Sequence, residues 1–283
     1  MNTFTSDQKL FRKKFVKPKK RTIFVSQNND KMIHTLETLQ HYDVPSVFTK
    51  EPAPNLSSKY VFVPTQEIVE NFLNEGWTIS SASQRGNSTF AKHTIRMKLQ
   101  GTSQVGDTIP EMILTNSHDG KSGFSLATGL HRLVCSNGLT VPTSIAQKFT
   151  VRHMNFDLGE VRRVTDEFVE RLPVIAESVK RLTERQLTFD EQCQYVDKAW
   201  NIKWLNPKLR NSSYENVLDP KRGADQPMNM WTTFNVVQEK FIRGGVSYPS
   251  GSHQRFRVSR ELKDFDRVNK INTELWELAE EMC

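Results

Sequence analysis

The sequence predicts an α+β fold, with a central antiparallel β-meander of about four strands covered by helices and a mostly helical C-terminal half. Two patterns support this fold class. Between residues 77 and 134, apolar and polar residues alternate with a period of two, which is typical of strands buried on one face. After residue 157, apolar residues recur every three or four positions, which is typical of amphipathic helices.

One well-defined helix is predicted before the sheet, over residues 65–75. Its apolar residues fall on one face, and Gly76 follows as a residue that readily adopts the left-handed conformation at a helix end. Thr65 is expected to cap this helix, because its hydroxyl can accept a hydrogen bond from a free amide of the first turn.

The meander is predicted to consist of four strands, at residues 77–83, 90–100, 111–117 and 122–134. The second strand alternates most regularly, since apolar residues occupy one face and Lys92, Arg96 and Lys98 occupy the other. Asp119 and Gly120 predict a tight turn between the last two strands, because glycine takes a positive φ at little steric cost.

Four helices are predicted in the C-terminal half, at residues 157–185, 188–200, 227–243 and 259–283. Pro173 is expected to kink or divide the first of them, because proline has no amide hydrogen and its ring clashes with the preceding turn. Thr188 and Glu191 match a capping box at the start of the second. Residues 201–227 and 245–257 are predicted to be loops that contain several cations.

These elements divide the chain into three predicted regions. Residues 1–21 form a basic, disordered arm, residues 22–258 form the α+β body, and residues 259–283 form an amphipathic helix. This last helix is expected either to pack on the body or to mediate a homo-oligomer.

The formal charge of +7 belongs to the N-terminal arm. Residues 1–21 contain eight basic residues and one acidic residue, so the rest of the chain is formally neutral. Because Phe11 and Phe15 lie between these cations, the arm can neutralise phosphates and stack on bases, or it can be a solvated tail. The arm residues expected to bind nucleic acid are Arg12, Lys13, Lys14, Lys17, Lys19, Lys20 and Arg21.

A second cationic surface is predicted in the sheet. Lys92, Arg96 and Lys98 on one face of a strand can follow a phosphate backbone. The alternative is that they form the solvent-exposed face of an antiparallel strand, where lysines also oppose pairing between sheet edges.

Other features of the sequence argue against a membrane, secreted or metal-binding protein. No apolar run approaches the roughly 20 residues of a membrane span, and the first thirty residues lack the apolar centre of a signal peptide. Three widely spaced cysteines suggest neither a disulfide framework nor a zinc site. We therefore expect a cytoplasmic protein with no membrane partner.

No catalytic residue, metal or cofactor is predicted. The histidines in or beside the sheet lack metal-ligand spacing, and they are His93, His118, His131 and His153. Asp119 beside His118 suggests half of an acid–base pair, but a role in the turn is the better interpretation. Cys135 ends an apolar strand and is expected to be a buried, inert thiol rather than a nucleophile.

The run NSHDGKSGFSLATGLHRLVCSNGLTV, followed by VRHMNF and MWTTFNVVQEKF, resembles phage- and plasmid-encoded proteins that carry the domain of unknown function numbered 932. The resemblance spans residues 64–243, and the positions that carry it are Asp119, Gly120, Arg132, Cys135, Asn137, His153 and Asn235. It implies a mobile-element protein without an assigned reaction, with DNA as a partner by analogy. Asp119, Arg132, Asn137 and His153 are expected to form either a polar site or a buried hydrogen-bond network between sheet and helices.

The leading functional hypothesis is a non-enzymatic DNA-binding protein of a phage or plasmid, used in recombination or replication. It would contact single strands or duplex backbone without strong sequence readout, and an oligomeric strand-annealing protein is one version.

An alternative is an anti-defence protein that binds a host defence protein, or a nucleotide signal near Arg132, Asn137 and His153. A second alternative is a metal-dependent nuclease or hydrolase that uses His118, Asp119 and His153.

Overall fold

A computed structural model describes residues 23–24, 36, 39, 44–133, 138–142, 145, 149–151, 158–204, 214–250 and 255–283. Its centre is an antiparallel sheet whose first six strands pair in chain order, which confirms the predicted α+β fold with a central meander. The strands are β1 (Ile23–Phe24), β2 (Trp77–Gln84), β3 (His93–Leu99), β4 (Thr108–Asn116), β5 (Phe124–Arg132), β6 (Gly138–Thr140) and β7 (Phe149–Val151).

The four predicted strands correspond to β2, β3, β4 and β5, and three short strands extend the sheet. β1 pairs with β2, whereas β6 and β7 both pair with β5 at different positions along it. The turn between β4 and β5 contains Gly120 at φ 73°, and a Cβ atom there would lie 2.6 Å from the Leu56 Cδ2 atom. The positive φ therefore favours glycine at this position, while the end of the flexible Leu56 side chain could move away from an added Cβ.

The helices are α1 (Thr65–Asn74), α2 (Leu158–Glu184), α3 (Phe189–Lys203), α4 (Tyr214–Leu218), α5 (Met230–Arg243) and α6 (Phe265–Glu281). The capping box at Thr188 and Glu191 is present at the start of α3, with each residue bonded to the other's backbone amide. Pro173 lies inside α2 without dividing it. Among the helices described, none is both long and apolar enough to span a bilayer.

Three predictions about element boundaries were wrong. Thr65 is the first residue of α1 rather than its cap, because its hydroxyl is bonded to buried side chains instead of the helix amides. The last helix begins after Asp264, whose side chain accepts from the Arg267 amide, and not after Ser259. The segment 245–257 contains a two-stranded hairpin, formed by β8 (Ser247–Ser250) and β9 (Arg255–Val258).

Two apolar cores hold the chain together. The first lies between one face of the sheet and α1, and it includes Phe72, Trp77, Ile95 and Met97. The second lies among α2, α3, α5 and α6, and its largest fully buried side chains are Trp276, Tyr195, Phe234 and Phe241. Leu172 on α2 packs against both cores, so this helix joins the sheet to the helical half.

Candidate nucleic-acid interface

Arg96 lies on the face of β3 opposite the first core and contacts an acidic residue of the next strand. Its guanidinium forms an ion pair with Glu111 on β4, a residue with no exposed surface. The Ser80 hydroxyl donates a hydrogen bond to the second Glu111 carboxylate oxygen at 2.9 Å. The buried carboxylate thus has a partner for each oxygen, as a charge removed from water requires.

Two titratable side chains complete this group, which we call the Glu111 cluster: Ser80, Arg96, Lys98, Glu111 and His131. Burial lowers the pKa of Lys98, and the charge of Glu111 opposes this change. Burial likewise lowers the pKa of His131, again with Glu111 acting in the opposite direction. The predicted alternation therefore holds along β3, and both of its cations, Arg96 and Lys98, lie beside the Glu111 carboxylate.

The third predicted cation, Lys92, contacts the C-terminal helix. Its ammonium donates to both carboxylate oxygens of Asp266 on α6, at 2.6 and 2.8 Å. Only 19% of the Lys92 side chain is exposed. A phosphate backbone that approached this face would compete with Asp266 and Glu111 for the three cations.

Arg132 belongs to a buried ionic network between the sheet and the helical half. It is 2% exposed, and its guanidinium lies 2.5 Å from the Asp107 carboxylate and 2.6 Å from that of Asp225. The Trp231 indole of α5 donates to the other Asp107 oxygen at 2.9 Å. Arg132 therefore links the sheet to the helical half through two carboxylates.

The other predicted polar residues do not join Arg132 in the part of the chain that the structure describes. Asp119 lies in the turn before β5 and accepts from the Lys121 amide at 3.0 Å, which supports its predicted role in the turn. Arg132 lies at the far end of β5, a strand that spans roughly 26 Å. Residues 1–21, Cys135, Asn137 and His153 lie outside the described residues.

Two other predicted histidines, His93 and His118, form a buried pair beside α1. Their ring centroids are 5.2 Å apart, and the His118 ring also packs against Phe62 at 4.8 Å. Nδ1 of His93 faces the Ala91 carbonyl and so carries the proton of the neutral ring, which leaves Nε2 to accept from the Thr65 hydroxyl. That hydroxyl also accepts from the Asn116 amide. Within the described residues, no three His, Cys, Asp or Glu side chains are grouped so that they could hold a metal ion.

The hairpin β8–β9 exposes an aromatic side chain on one face and a cation on the other. Phe256 is 65% exposed and Val258 is 61% exposed, and both lie on the same face of the hairpin because side chains alternate along a strand. Arg257 is also exposed, and it lies directly opposite Tyr248 in the ladder. Large apolar groups so exposed are typical of surfaces that bind a partner.

Aromatic contacts and main-chain bonds hold this hairpin to the helical half. Tyr248 packs against Trp204 with 6.2 Å between ring centroids, and Trp204 stacks on Trp200 at 4.2 Å. At the base of the hairpin, the Gly245 amide donates to the Ser259 carbonyl at 2.9 Å, and the Ser259 amide donates to the Val246 carbonyl at 2.7 Å. The hairpin is therefore fixed at its base.

The chain that follows the hairpin continues the exposed positive charge. Arg260 and Lys263 are both exposed. The intervening acid, Glu261, is bound by Arg243 at 2.7 Å. The hairpin was missed from the sequence, although SGS between two short runs and the alternation in RFRV are signals of a hairpin.

Known proteins resemble this chain over most of its length. UPF0380 protein YafZ of Escherichia coli (strain K12) is 29% identical over 242 residues, which are 84% of this chain and 87% of that protein. UPF0380 protein YfjQ of the same strain is 28% identical over 242 residues, with the same coverage. No solved structure matches the chain. A model of the family described as "Domain of unknown function (DUF932)" matches residues 55–276, and because this match covers well over half of the sequence, the chain belongs to that family.

Proposed function

We propose that this chain is a DNA-binding protein of a mobile genetic element that prefers single strands and does not read sequence. The hairpin β8–β9 and the N-terminal arm supply the contacts in this proposal. A use in recombination or replication, including strand annealing by an oligomer, follows from the resemblance to mobile-element proteins and is part of the proposal.

The observation that carries the proposal is the exposure of Phe256 on one face of a hairpin whose other face exposes Arg257. Every base has an aromatic face, so an exposed phenyl ring can stack on any unpaired base without distinguishing its identity. Exposed cations at positions 257, 260 and 263 provide charge for the phosphates along the same segment. In a duplex the faces of the bases are covered by their neighbours, so this combination favours single strands.

The cations of β3 have a smaller role in the proposal than the alternation alone indicates. Lys92 and Arg96 are held by Asp266 and Glu111, and Lys98 is half-buried, which lowers its pKa. The N-terminal arm, in contrast, carries a formal net charge of +7. We therefore assign the salt-dependent part of the affinity mainly to the arm and the hairpin.

Binding of a labelled single-stranded oligonucleotide, followed by fluorescence anisotropy over a range of salt concentrations, tests the proposal. Phe256→Ala should weaken binding about 5- to 150-fold, as expected for loss of one base–aromatic stack worth roughly 1–3 kcal/mol. Arg257→Gln should reduce the slope of log affinity against log salt by about 0.7, which is the contribution of one contact to a single-strand phosphate. Removal of residues 1–21 should reduce that slope further.

Matched variants on α2 control for general effects of each change. Val169→Ala removes an apolar side chain that is 44% exposed, and Lys180→Gln removes an exposed charge. Both should bind as the unmodified protein does. Absence of binding at low salt, or equal affinities for Phe256→Ala and Val169→Ala, would refute the role of the hairpin.

A further inference from the structure

A pocket of about 360 Å³ lies between the start of α3, the short helix α4 and the outer side of α5. We infer that it binds a small ligand with an aliphatic body and a positively charged amine or guanidine head. The volume is within the range of small-molecule sites, which is about 300–1,000 Å³. The inference rests on the pocket alone and does not depend on the proposed binding of DNA.

Apolar side chains form much of the pocket wall. Phe189 at the first position of α3 is 49% exposed, and Met228 in the segment before α5 is 42% exposed. Leu218 and Val236 also line the pocket. An aliphatic ligand would cover these groups and remove their surface from water, which gains roughly 25 cal/mol for each Å² buried.

The charged groups that line the pocket are all acidic. Glu215, Asp219 and Asp225 contribute to its surface, and no lysine or arginine is among the described residues that do so. Asp225 is held by Arg132 at 2.6 Å and by Arg222 at 3.6 Å. Asp225 is thus paired on its buried side, whereas Asp219 is largely exposed to solvent.

Asp219 is the carboxylate best placed to meet a ligand. Its side chain is 71% exposed, and it lies 3.6 Å from the Lys240 ammonium, which itself is only 9% exposed. Carboxylates accept hydrogen bonds and repel anions, so a protonated amine is favoured at this mouth and a phosphate is disfavoured. The apolar wall and the acidic mouth together select an amphipathic cation.

Three probes with the same six-carbon chain separate these contributions: n-hexylamine, n-hexanol and n-hexyl phosphate. Their affinities for the full chain can be measured by NMR titration in the absence of DNA. Hexylamine should bind about two- to fivefold more tightly than hexanol, a factor typical of an exposed ion pair, and hexyl phosphate should bind most weakly. If hexyl phosphate binds as well as hexylamine, or if no probe binds, the inference is wrong.

A charge reversal at the mouth provides the second test. Asp219→Lys should weaken hexylamine binding and strengthen hexyl phosphate binding, while the affinity for hexanol stays within twofold. Glu170→Lys makes the same change at an exposed position of α2 that does not line the pocket, and it should leave all three affinities unchanged. Equal effects of the two substitutions would show that the preference comes from net charge and would overturn the assignment. An affinity for hexanol within twofold of that of the unmodified protein also shows that Asp219→Lys keeps the pocket folded.

Discussion

His93 lies inside the fold, where burial favours the neutral form of its ring. Burial, together with a smaller effect of His118, lowers the pKa of His93 to about 3. In this neutral form, Nε2 accepts the proton of the Thr65 hydroxyl at 2.9 Å. This side chain therefore links the stability of the sheet and α1 to pH.

We expect the free energy of unfolding to fall as the pH decreases from about 6.5. The unfolded chain takes up a proton at His93 near pH 6.5, whereas the folded chain resists protonation down to about pH 3. Proton uptake by the unfolded state thus removes stability, by at most about 1.4 kcal/mol for each pH unit below 6.5. In His93→Gln the unfolded chain takes up no proton at position 93, so this loss of stability is absent. The difference in unfolding free energy between the unmodified protein and the variant should therefore shrink as the pH falls from 7 to 4.

Urea denaturation at each pH unit measures this difference. His131→Gln is the control, because His131 is only half-buried and should contribute less to the pH dependence. A stability difference for His93→Gln that stays constant over the whole range would contradict the assignment.

At the residue scale, the sequence predicts which face a side chain occupies more reliably than which partner it has. Alternation along β3 correctly placed Arg96 and Lys98 on one face. Their proximity to Glu111 depends on the register between β3 and β4, in which Arg96 lies opposite Ile113. That register is set by packing across the whole sheet and cannot be read from either strand alone. Arg132 presents the same difficulty, because its two aspartates are 25 and 93 positions away in the chain.

At the scale of elements, long segments with a strong period were predictable and short ones were not. Helices such as α2 and α5 repeat their apolar residues over several turns, so their existence follows from sequence. Each strand of the hairpin β8–β9 has four residues, which is too few for alternation to stand out. The prediction of a loop there was wrong for this reason, and it concealed the exposure of Phe256.

Two adjacent glycines at the base of this hairpin should differ in their tolerance of alanine. Gly244 and Gly245 both have positive φ, at 87° and 95°, so alanine is strained at either position. At Gly244 an added Cβ would also overlap the Ser259 carbonyl oxygen and lie 2.8 Å from the Arg260 carbonyl carbon, whereas at Gly245 it would meet open space. We expect Gly245→Ala to cost about 1 kcal/mol and Gly244→Ala about 1–3 kcal/mol more. Equal midpoints of urea denaturation for the two variants would show that the backbone of Ser259 and Arg260 moves away without cost.

At the scale of the whole molecule, the C-terminal helix closes the second core. Tyr195 on α3 donates its phenol proton to the Leu275 carbonyl at 2.8 Å, and Ile271, Leu275, Trp276 and Ala279 are almost completely buried. The N-terminal part of α6 reaches the sheet, where Asn269 accepts from the Thr140 hydroxyl at 2.7 Å. The predicted amphipathic stripe is thus covered by the chain itself, and the helix joins the helical half to the sheet edge.

Trp276 provides the test of this arrangement. Its ring has no exposed surface and packs edge-on against Trp231 and Phe234, with 5.6 Å between centroids in each pair. Its indole N–H donates to the Ser178 hydroxyl and the Glu280 carboxylate, both at 3.2 Å. Trp276→Ala should therefore cost about 3–5 kcal/mol in the free energy of unfolding, measured by urea denaturation. Val174→Ala, at a position of α2 that is 46% exposed, should change it by less than about 0.5 kcal/mol. If Trp276→Ala leaves stability intact and instead alters the elution volume in size-exclusion chromatography, α6 is a contact between copies of the chain rather than part of the core of one.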